Sequence, residues 1–143
     1  MTFTYLLDTN TFSYIAKGVS QAARAEFQRL SQDPDSVICI SAISEAEVRF
    51  GIAKHGLSRS RRAAIEGLFA NLQILPWGSD EAVAYAQARA ALEAKGVTVS
   101  VMDMQIAAHA IAIGAVLVTA DKIFVKVGEV TDLAATVNWA TDL

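Results

Sequence analysis

Four acidic residues occupy places in the sequence where a carboxylate could act on a substrate. Each follows a short apolar run or stands near the start of a segment with helical periodicity. These acids are Asp8, Glu47, Asp103 and Asp121. Taken singly, each has a structural explanation, because Asp and Glu are common in turns and at the free N–H groups of helix starts.

Gathered at one place, the four carboxylates would repel one another and would require a cation between them. The chain has 1 Cys and 2 His, which is too few for a Cys and His zinc set. Hard oxygen ligands favour Mg²⁺ or Mn²⁺ instead. Such ions can activate a water and stabilise the leaving oxygen of a phosphodiester, so the acids predict metal-assisted hydrolysis.

The segments that would position these acids alternate between strand and helix patterns. Predicted strands cover residues 3–7, 36–40, 72–75 and 115–119, with 136–139 as a candidate fifth. Predicted helices cover 11–17, 20–31, 44–54, 58–71, 80–95 and 100–113. We expect Ser44, with Glu47 three positions on, to form a capping box, and we expect Ser79 and Ser100 to cap later helices.

This alternation predicts an α/β fold of three layers, with a central parallel β-sheet flanked by helices on both faces. The strand at 36–40 lacks polar alternation, which is typical of burial on both faces. Sites in such sheets form outside the carboxyl ends of the strands, where all four acids fall. At 143 residues, the chain is expected to form a single domain, 1–143.

Composition narrows the class of protein further. A hydrophobic fraction of 53% and a charged fraction of 19% exclude a disordered chain. Cys39 lies in an apolar run and is expected to be a buried hydrophobe in a reducing compartment. The longest uncharged stretch, 104–120, is shorter than the roughly 20 residues of a membrane span. Residues 1–7 lack a basic residue, so we expect no signal peptide, no membrane association and a cytoplasmic location.

Basic residues are concentrated in one part of the chain although the net charge is -3. Residues 48–65 contain no acid but hold five of the 12 Lys and Arg residues, namely Arg49, Lys54, Arg59, Arg61 and Arg62. Such a stretch is often a solvated helix face, yet it is also what contact with a nucleic-acid phosphate backbone would require.

Four sequence runs, in this order, resemble the PIN-domain family, and within it the VapC toxins of bacterial toxin-antitoxin pairs. The first run is Leu-Leu-Asp-Thr-Asn at 6–10, and the second is Ile-Ser-Ala-Ile-Ser-Glu-Ala-Glu-Val at 40–48 with Gly51 following. The others are Met-Asp-Met-Gln-Ile-Ala-Ala-His-Ala at 102–110 and Leu-Val-Thr-Ala-Asp at 117–121. The resemblance extends from Leu6 to about Trp139.

The resemblance implies an endoribonuclease that depends on Mg²⁺ or Mn²⁺. Its acidic site maps onto Asp8, Glu47, Asp103 and Asp121, where Asp8 and Asp103 would hold the principal ion. Glu47 and Asp121 would complete a second site or orient the water. Glu47 is preferred to Glu45 because the family motif places its Glu before an aliphatic residue and four before Gly. Hydrogen-bonding support for the carboxylates would come from Thr9, Asn10 and Thr119.

The resemblance also implies partners: an RNA substrate, a VapB-like antitoxin that blocks the cleft, and a second copy of the chain in a homodimer. The main alternative is a PIN-like module that binds RNA or protein without cutting. A phospho-signalling receiver domain is less favoured, because Asp8 has no acidic neighbour. His109 lies about 120° round its helix from Asp103, so we expect a buried structural residue rather than a ligand. Trp77 and Trp139 are expected in the core or at a dimer contact.

Overall fold

A computed structural model describes residues 1–143 and contains five strands and seven helices. The strands are β1 (Phe3–Leu7), β2 (Ser36–Ser41), β3 (Gln73–Leu75), β4 (Val116–Val118) and β5 (Ala135–Val137). The helices are α1 (Thr9–Lys17), α2 (Gln21–Ser31), α3 (Ala42–His55), α4 (Arg59–Ala70), α5 (Ser79–Ala94), α6 (Val101–Ile113) and α7 (Ile123–Val130). None of these helices has the length and apolar character that crossing a membrane requires.

The strands form one sheet in the order β3-β2-β1-β4-β5, and every neighbouring pair is parallel. The chain builds one half of the sheet outward from β1, then returns to β1 and builds the other half. Leu7, at the end of β1, aligns with Ile40 of β2 and Val118 of β4. The strand order reverses between β1 and β4, so a crevice is expected at the carboxyl ends of these strands.

Both faces of the sheet are buried, which confirms the predicted three layers. Alternate residues of one strand enter different cores: Leu7 packs with α1, α2 and α4, whereas Leu6 packs with α5, α6 and α7. Cys39 lies fully buried in the second core, as the sequence predicted. Trp139 is buried in the first core, also as predicted. Helix α3 contacts both cores, through Val48 and Ile52 on one side and Ile43 on the other.

The predicted capping box at Ser44 is wrong. Helix α3 begins at Ala42, because Ser41 ends β2 in extended conformation and its Oγ accepts a hydrogen bond from the N–H of Ile43 at 3.1 Å. Ser44 is therefore inside the helix and fully buried. Glu47 consequently lies one turn further into α3 than the sequence predicted.

The structure differs from the prediction at two other helices. Helix α5 begins at Ser79 itself, with Gly78 in the cap position and no side-chain hydrogen bond to cap it. Helix α7 was not predicted, although Phe124 and Val127 stand at helical spacing and both are buried. By contrast, Ser100 caps α6 as predicted, accepting a hydrogen bond from the N–H of Asp103 at 3.2 Å.

Candidate active site

Asp8 lies where β1 gives way to α1, next to the point at which the strand order reverses. Its N–H donates to the carbonyl of Val118 at 3.0 Å, which continues the pairing of β1 with β4. Its carboxylate caps α1 by accepting from the N–H of Thr11 at 2.8 Å. The residue is only 5% exposed, so its carboxylate is held in one orientation at the edge of the crevice.

Glu47 and Asp103 reach the same place from two different helices. Glu47 is half-buried on α3, and its Oε2 lies 3.4 Å from the hydroxyl of Thr9, which also donates to Ser44 at 2.9 Å. Asp103 lies in the first turn of α6, whose start faces the same edge of the sheet. Thr9 is thus a hydrogen-bonding neighbour of Glu47, and its supporting role at the site stays a prediction.

Burial and neighbouring carboxylates both raise the pKa of Asp8 and of Glu47. Burial raises the pKa of Asp8, hydrogen bonds from Thr119 and Thr11 oppose this change, and the charge of Asp103 raises the pKa further. Burial also raises the pKa of Glu47; the Thr9 hydroxyl opposes the rise, whereas Asp103 and Asp8 add to it. Like charges have this effect only at short range, so Asp8, Glu47 and Asp103 form one acidic cluster.

Asp121 lies outside this acidic cluster. It is exposed, and its Oδ1 accepts from the N–H of Ile123 at 3.0 Å, at the start of α7. Its charge does not contribute to the raised pKa of Glu47. Thr119 lies near both acids: its hydroxyl accepts from the N–H of Asp121 at 3.0 Å, and the same residue opposes the effect of burial, which raises the pKa of Asp8.

No basic side chain neutralises the acidic cluster, because none of the ion pairs of the protein includes Asp8, Glu47 or Asp103. No three or more His, Cys, Asp and Glu side chains are arranged to hold one metal ion by themselves. Mg²⁺ does not need such a cage, since it retains several waters and binds through one or two carboxylates. Uncompensated oxygen ligands therefore fit a hydrated divalent ion.

An open groove of about 500 Å³ lies between α1, α3 and α4, and Glu47 is the one member of the acidic cluster that lines it. Thr9 and Asn10 also line it. Its basic lining residues are Lys17, His55 and Arg61. The sequence analysis did not name Lys17 or His55 as candidate site residues. His55 could have been found, because it follows Glu47 by about two helical turns and so lies near the same face of α3.

The basic stretch does not form one continuous patch. Arg49 is bound to Glu45 at 2.9 Å and to Glu66 at 2.7 Å, and its guanidinium lies 4.8 Å from the ring centre of Phe69. Lys54 lies over the exposed ring of Phe50. Arg59 and Arg62 are exposed on α4 and, like Arg49 and Lys54, do not line the groove, so Arg61 is the only member of the stretch that does.

A family model described as PIN domain matches residues 5–130, a range that includes all four candidate acids. The chain belongs to the PIN domain family. This confirms the resemblance drawn from the four sequence runs, and it agrees with the three-layer architecture and the order of the strands.

Relatives of this PIN domain include named ribonucleases. It is 33% identical over 115 residues to the tRNA(fMet)-specific endonuclease VapC of Salmonella typhimurium, covering 80% of this chain and 84% of the relative. It is 30% identical to Ribonuclease VapC2 of Rickettsia felis, with the same coverage. The crystal structure of VapBC2 from Rickettsia felis bound to a promoter DNA fragment superposes with a TM-score of 0.84 at 27% identity, covering 96% of this chain and 99% of that chain.

Proposed function

We propose that this PIN domain is the endoribonuclease toxin of a VapBC-type toxin-antitoxin pair and that residues 1–143 act as one domain. The observation that carries the proposal is the acidic cluster of Asp8, Glu47 and Asp103, which has no basic partner and lies where the strand order reverses. A structural role alone would leave three carboxylates repelling one another without compensation. Hydrolysis of RNA phosphodiester bonds at a divalent ion gives them a function.

Asp8 and Asp103 are the residues that would hold Mg²⁺ or Mn²⁺. When bound, the ion supplies an activated water and stabilises negative charge on the phosphodiester oxygens. The choice of Asp8 rests on its fixed position as the cap of α1, and the choice of Asp103 on its place at the start of α6. Catalysis would then depend mainly on positioning and on charge stabilisation.

The remaining polar residues of the site would orient the reactants. Glu47 would either help to hold a second ion or accept a hydrogen bond from the attacking water, and Thr9 would keep its carboxylate in place. Thr119 would do the same for Asp8, and Asp121 would act through Thr119 or complete a second ion site. Asn10 lines the groove beside Glu47, where its amide would support the carboxylates or a substrate hydroxyl.

The groove gives the RNA a route to the acidic cluster. Arg61 and Lys17 line it and would contact phosphates on either side of the bond that is cut. Lys54, Arg59 and Arg62 are exposed and would contact more distant phosphates or an acidic segment of the antitoxin. Arg49, which already pairs with two Glu residues, would contribute less.

The partners of the chain are proposed on the basis of its structural neighbours. The VapBC structures from Rickettsia felis and Salmonella typhimurium are toxin-antitoxin complexes bound to DNA. By analogy, this chain would bind a VapB-like antitoxin that blocks the acidic cluster. A homodimer and a cytoplasmic location remain predictions based on the sequence.

Substitution of each of two Glu residues on α3, one at a time, tests the proposal. Glu47→Gln keeps the size of the side chain but removes the carboxylate beside Asp8 and Asp103, so we expect RNA cleavage to fall by roughly 100-fold or more. Glu45→Gln on the same helix is the matched control, because Glu45 is paired with Arg49 and lies apart from the acidic cluster. Cleavage of a total RNA pool with Mn²⁺ is the measurement.

Two outcomes would contradict the proposal. Equal activity of the two variants would show that the acidic cluster does not carry the chemistry. Absence of cleavage of any RNA by folded wild-type protein with Mn²⁺ would instead favour the non-cleaving module that binds RNA or protein.

A further inference from the structure

Three buried polar side chains, Ser41, His109 and Glu81, contact one another in series. His109 on α6 is fully buried, and its Nδ1 lies 2.8 Å from Oγ of Ser41. On the other side of the ring, Nε2 lies 3.4 Å from Oε1 of Glu81 on α5. An imidazole placed in an otherwise apolar stretch of α6 costs free energy unless its polar contacts offset that cost.

The contacts of Ser41 fix the protonation of the ring. Its Oγ already accepts from the N–H of Ile43, and a buried hydroxyl proton needs an acceptor of its own. Ser41 therefore donates to Nδ1 of His109, which leaves the N–H on Nε2, facing the carboxylate of Glu81. Burial lowers the pKa of His109, with Glu81 opposing the change, which agrees with a neutral ring.

The contact with Glu81 is weaker than the contact with Ser41. Although Nε2 and Oε1 lie within ion-pair distance, their geometry does not form a hydrogen bond. Nε2 is thus the buried side-chain atom that has no hydrogen-bond partner in the protein. Packing alone would be better served by an apolar residue, so the position of the ring calls for a reason beyond core stability.

The network joins the elements that carry the acids. Ser41 is both the last residue of β2 and the cap of α3, the helix that presents Glu47. His109 belongs to α6, whose first turn presents Asp103. Helices α3 and α6 contact each other, and the hydrogen bond between Ser41 and His109 joins the cap of α3 to α6.

We propose that His109, held between Ser41 and Glu81, is a positioning residue that sets the separation of Glu47 and Asp103 and thereby the affinity of the site for a divalent ion. The inference rests on the proposed function, because it assumes that the acidic cluster binds the ion. His109 itself touches neither the ion nor the RNA, since it is completely buried. Residues of this kind, placed behind metal ligands, typically change metal affinity by about 10- to 100-fold when they are replaced.

The test is a measurement of Mn²⁺ binding without RNA, by the loss of the electron paramagnetic resonance signal of free Mn²⁺. His109→Leu fills the space but removes the bond to Ser41, and we expect the Kd for Mn²⁺ to rise by about tenfold. His109→Asn retains a polar group that can reach Ser41, and we expect it to restore most of the affinity. The kcat at saturating Mn²⁺ is expected to change less than the Kd.

A control variant separates positioning from general stability. Val127→Ala removes buried volume from the same core on α7, away from the acidic cluster. We expect it to lower the Tm but to leave the Kd for Mn²⁺ unchanged. Ser41→Ala removes the same bond from the other side and serves if His109→Leu does not fold. Where both variants fold, combining Ser41→Ala with His109→Leu is expected to add little, because both remove that bond.

The outcomes distinguish failure of the inference from failure of the proposed function. Wild-type affinity in His109→Leu and in Ser41→Ala, with only a lower Tm, would overturn the positioning role and leave the proposed function intact. Wild-type protein that binds no Mn²⁺ at all would overturn both.

Discussion

At the scale of single residues, the two Glu side chains of α3 show what separates a candidate catalytic acid from a structural one. Glu45 is paired with Arg49, whereas Glu47 faces Asp8 and Asp103 with only Thr9 as a hydrogen-bonding neighbour. The sequence motif selects Glu47 over Glu45, and that choice stays a prediction, whereas the capping box expected at Ser44 was wrong. A sequence motif predicts the residue types of a site better than it predicts the residue at which a helix begins.

The fourth acid provides a prediction at this scale. Asp121 is exposed and holds the start of α7, and Asn at this position would still accept from the N–H of Ile123. We therefore expect Asp121→Asn to lower the rate of RNA cleavage by less than about tenfold, whereas Asp103→Asn lowers it by about 100-fold or more. Initial rates with Mn²⁺ in excess are the measurement. Equal losses in the two variants would mean that Asp121 is as essential as Asp103.

At the scale of helices and strands, the sequence predicted what apolar patterning controls. Strand β2 was predicted to be buried on both faces because its residues do not alternate, and the two cores on either side of the sheet confirm it. The start of α3 could not be placed, since Ser41 and Ser44 are both good caps and only the end of β2 decides between them. Helix α7 was missed because it is short and follows a turn.

The C-terminal segment gives a prediction about stability at this scale. Asp142 caps α2 from a distance: its carboxylate accepts from Ser20 at 2.6 Å and from the N–H groups of Gln21 and Ala22 at 3.0 and 3.3 Å. Hydrogen bonding by Ser20 is the main reason that the pKa of Asp142 lies below its ordinary value of 3.8. The stabilisation is therefore complete above pH 3.8 and is lost as the pH falls through the lower, folded-state pKa.

The variant Asp142→Ala is expected to have a lower Tm than wild type at neutral pH, and the difference is expected to shrink below pH 3.8. Thermal melts between pH 3 and pH 7 would measure it. Asp132→Ala is the control, because the exposed side chain of Asp132 makes no hydrogen bond. A difference in Tm that persists unchanged into acid would show that the carboxylate does not act as a charged cap.

At the scale of the whole molecule, the parallel order β3-β2-β1-β4-β5 determines where a site can form. The sequence predicted that edge because strands and helices alternate, and it predicted that the acids would meet there. It could not predict the groove, since Lys17 on α1 and Arg61 on α4 come together only after both helices pack against the sheet. The same packing explains why Arg49, adjacent in sequence to the site, is occupied elsewhere.

The groove gives a prediction about RNA binding. Arg61→Ala is expected to raise the Kd for RNA and to reduce the salt dependence of binding by about one phosphate contact. The exposed neighbour Arg62 does not line the groove, so Arg62→Ala is the matched control and should have a smaller effect. Each variant is made in a catalytically inactive Glu47→Gln background. Its binding to labelled RNA at several salt concentrations then gives the Kd and the salt dependence. A larger effect of Arg62→Ala would place the RNA outside the groove.

The most direct test of a metal-dependent ribonuclease is cleavage of a total RNA pool by wild type and by Asp8→Asn, each with Mg²⁺, Mn²⁺ or EDTA. Asn retains the cap of α1, so the variant is expected to fold while losing one ligand charge. We predict discrete fragments from wild type with a divalent ion and none from Asp8→Asn or in EDTA. Cleavage that survives EDTA, or equal cleavage by the Asp8→Asn variant, would contradict the account.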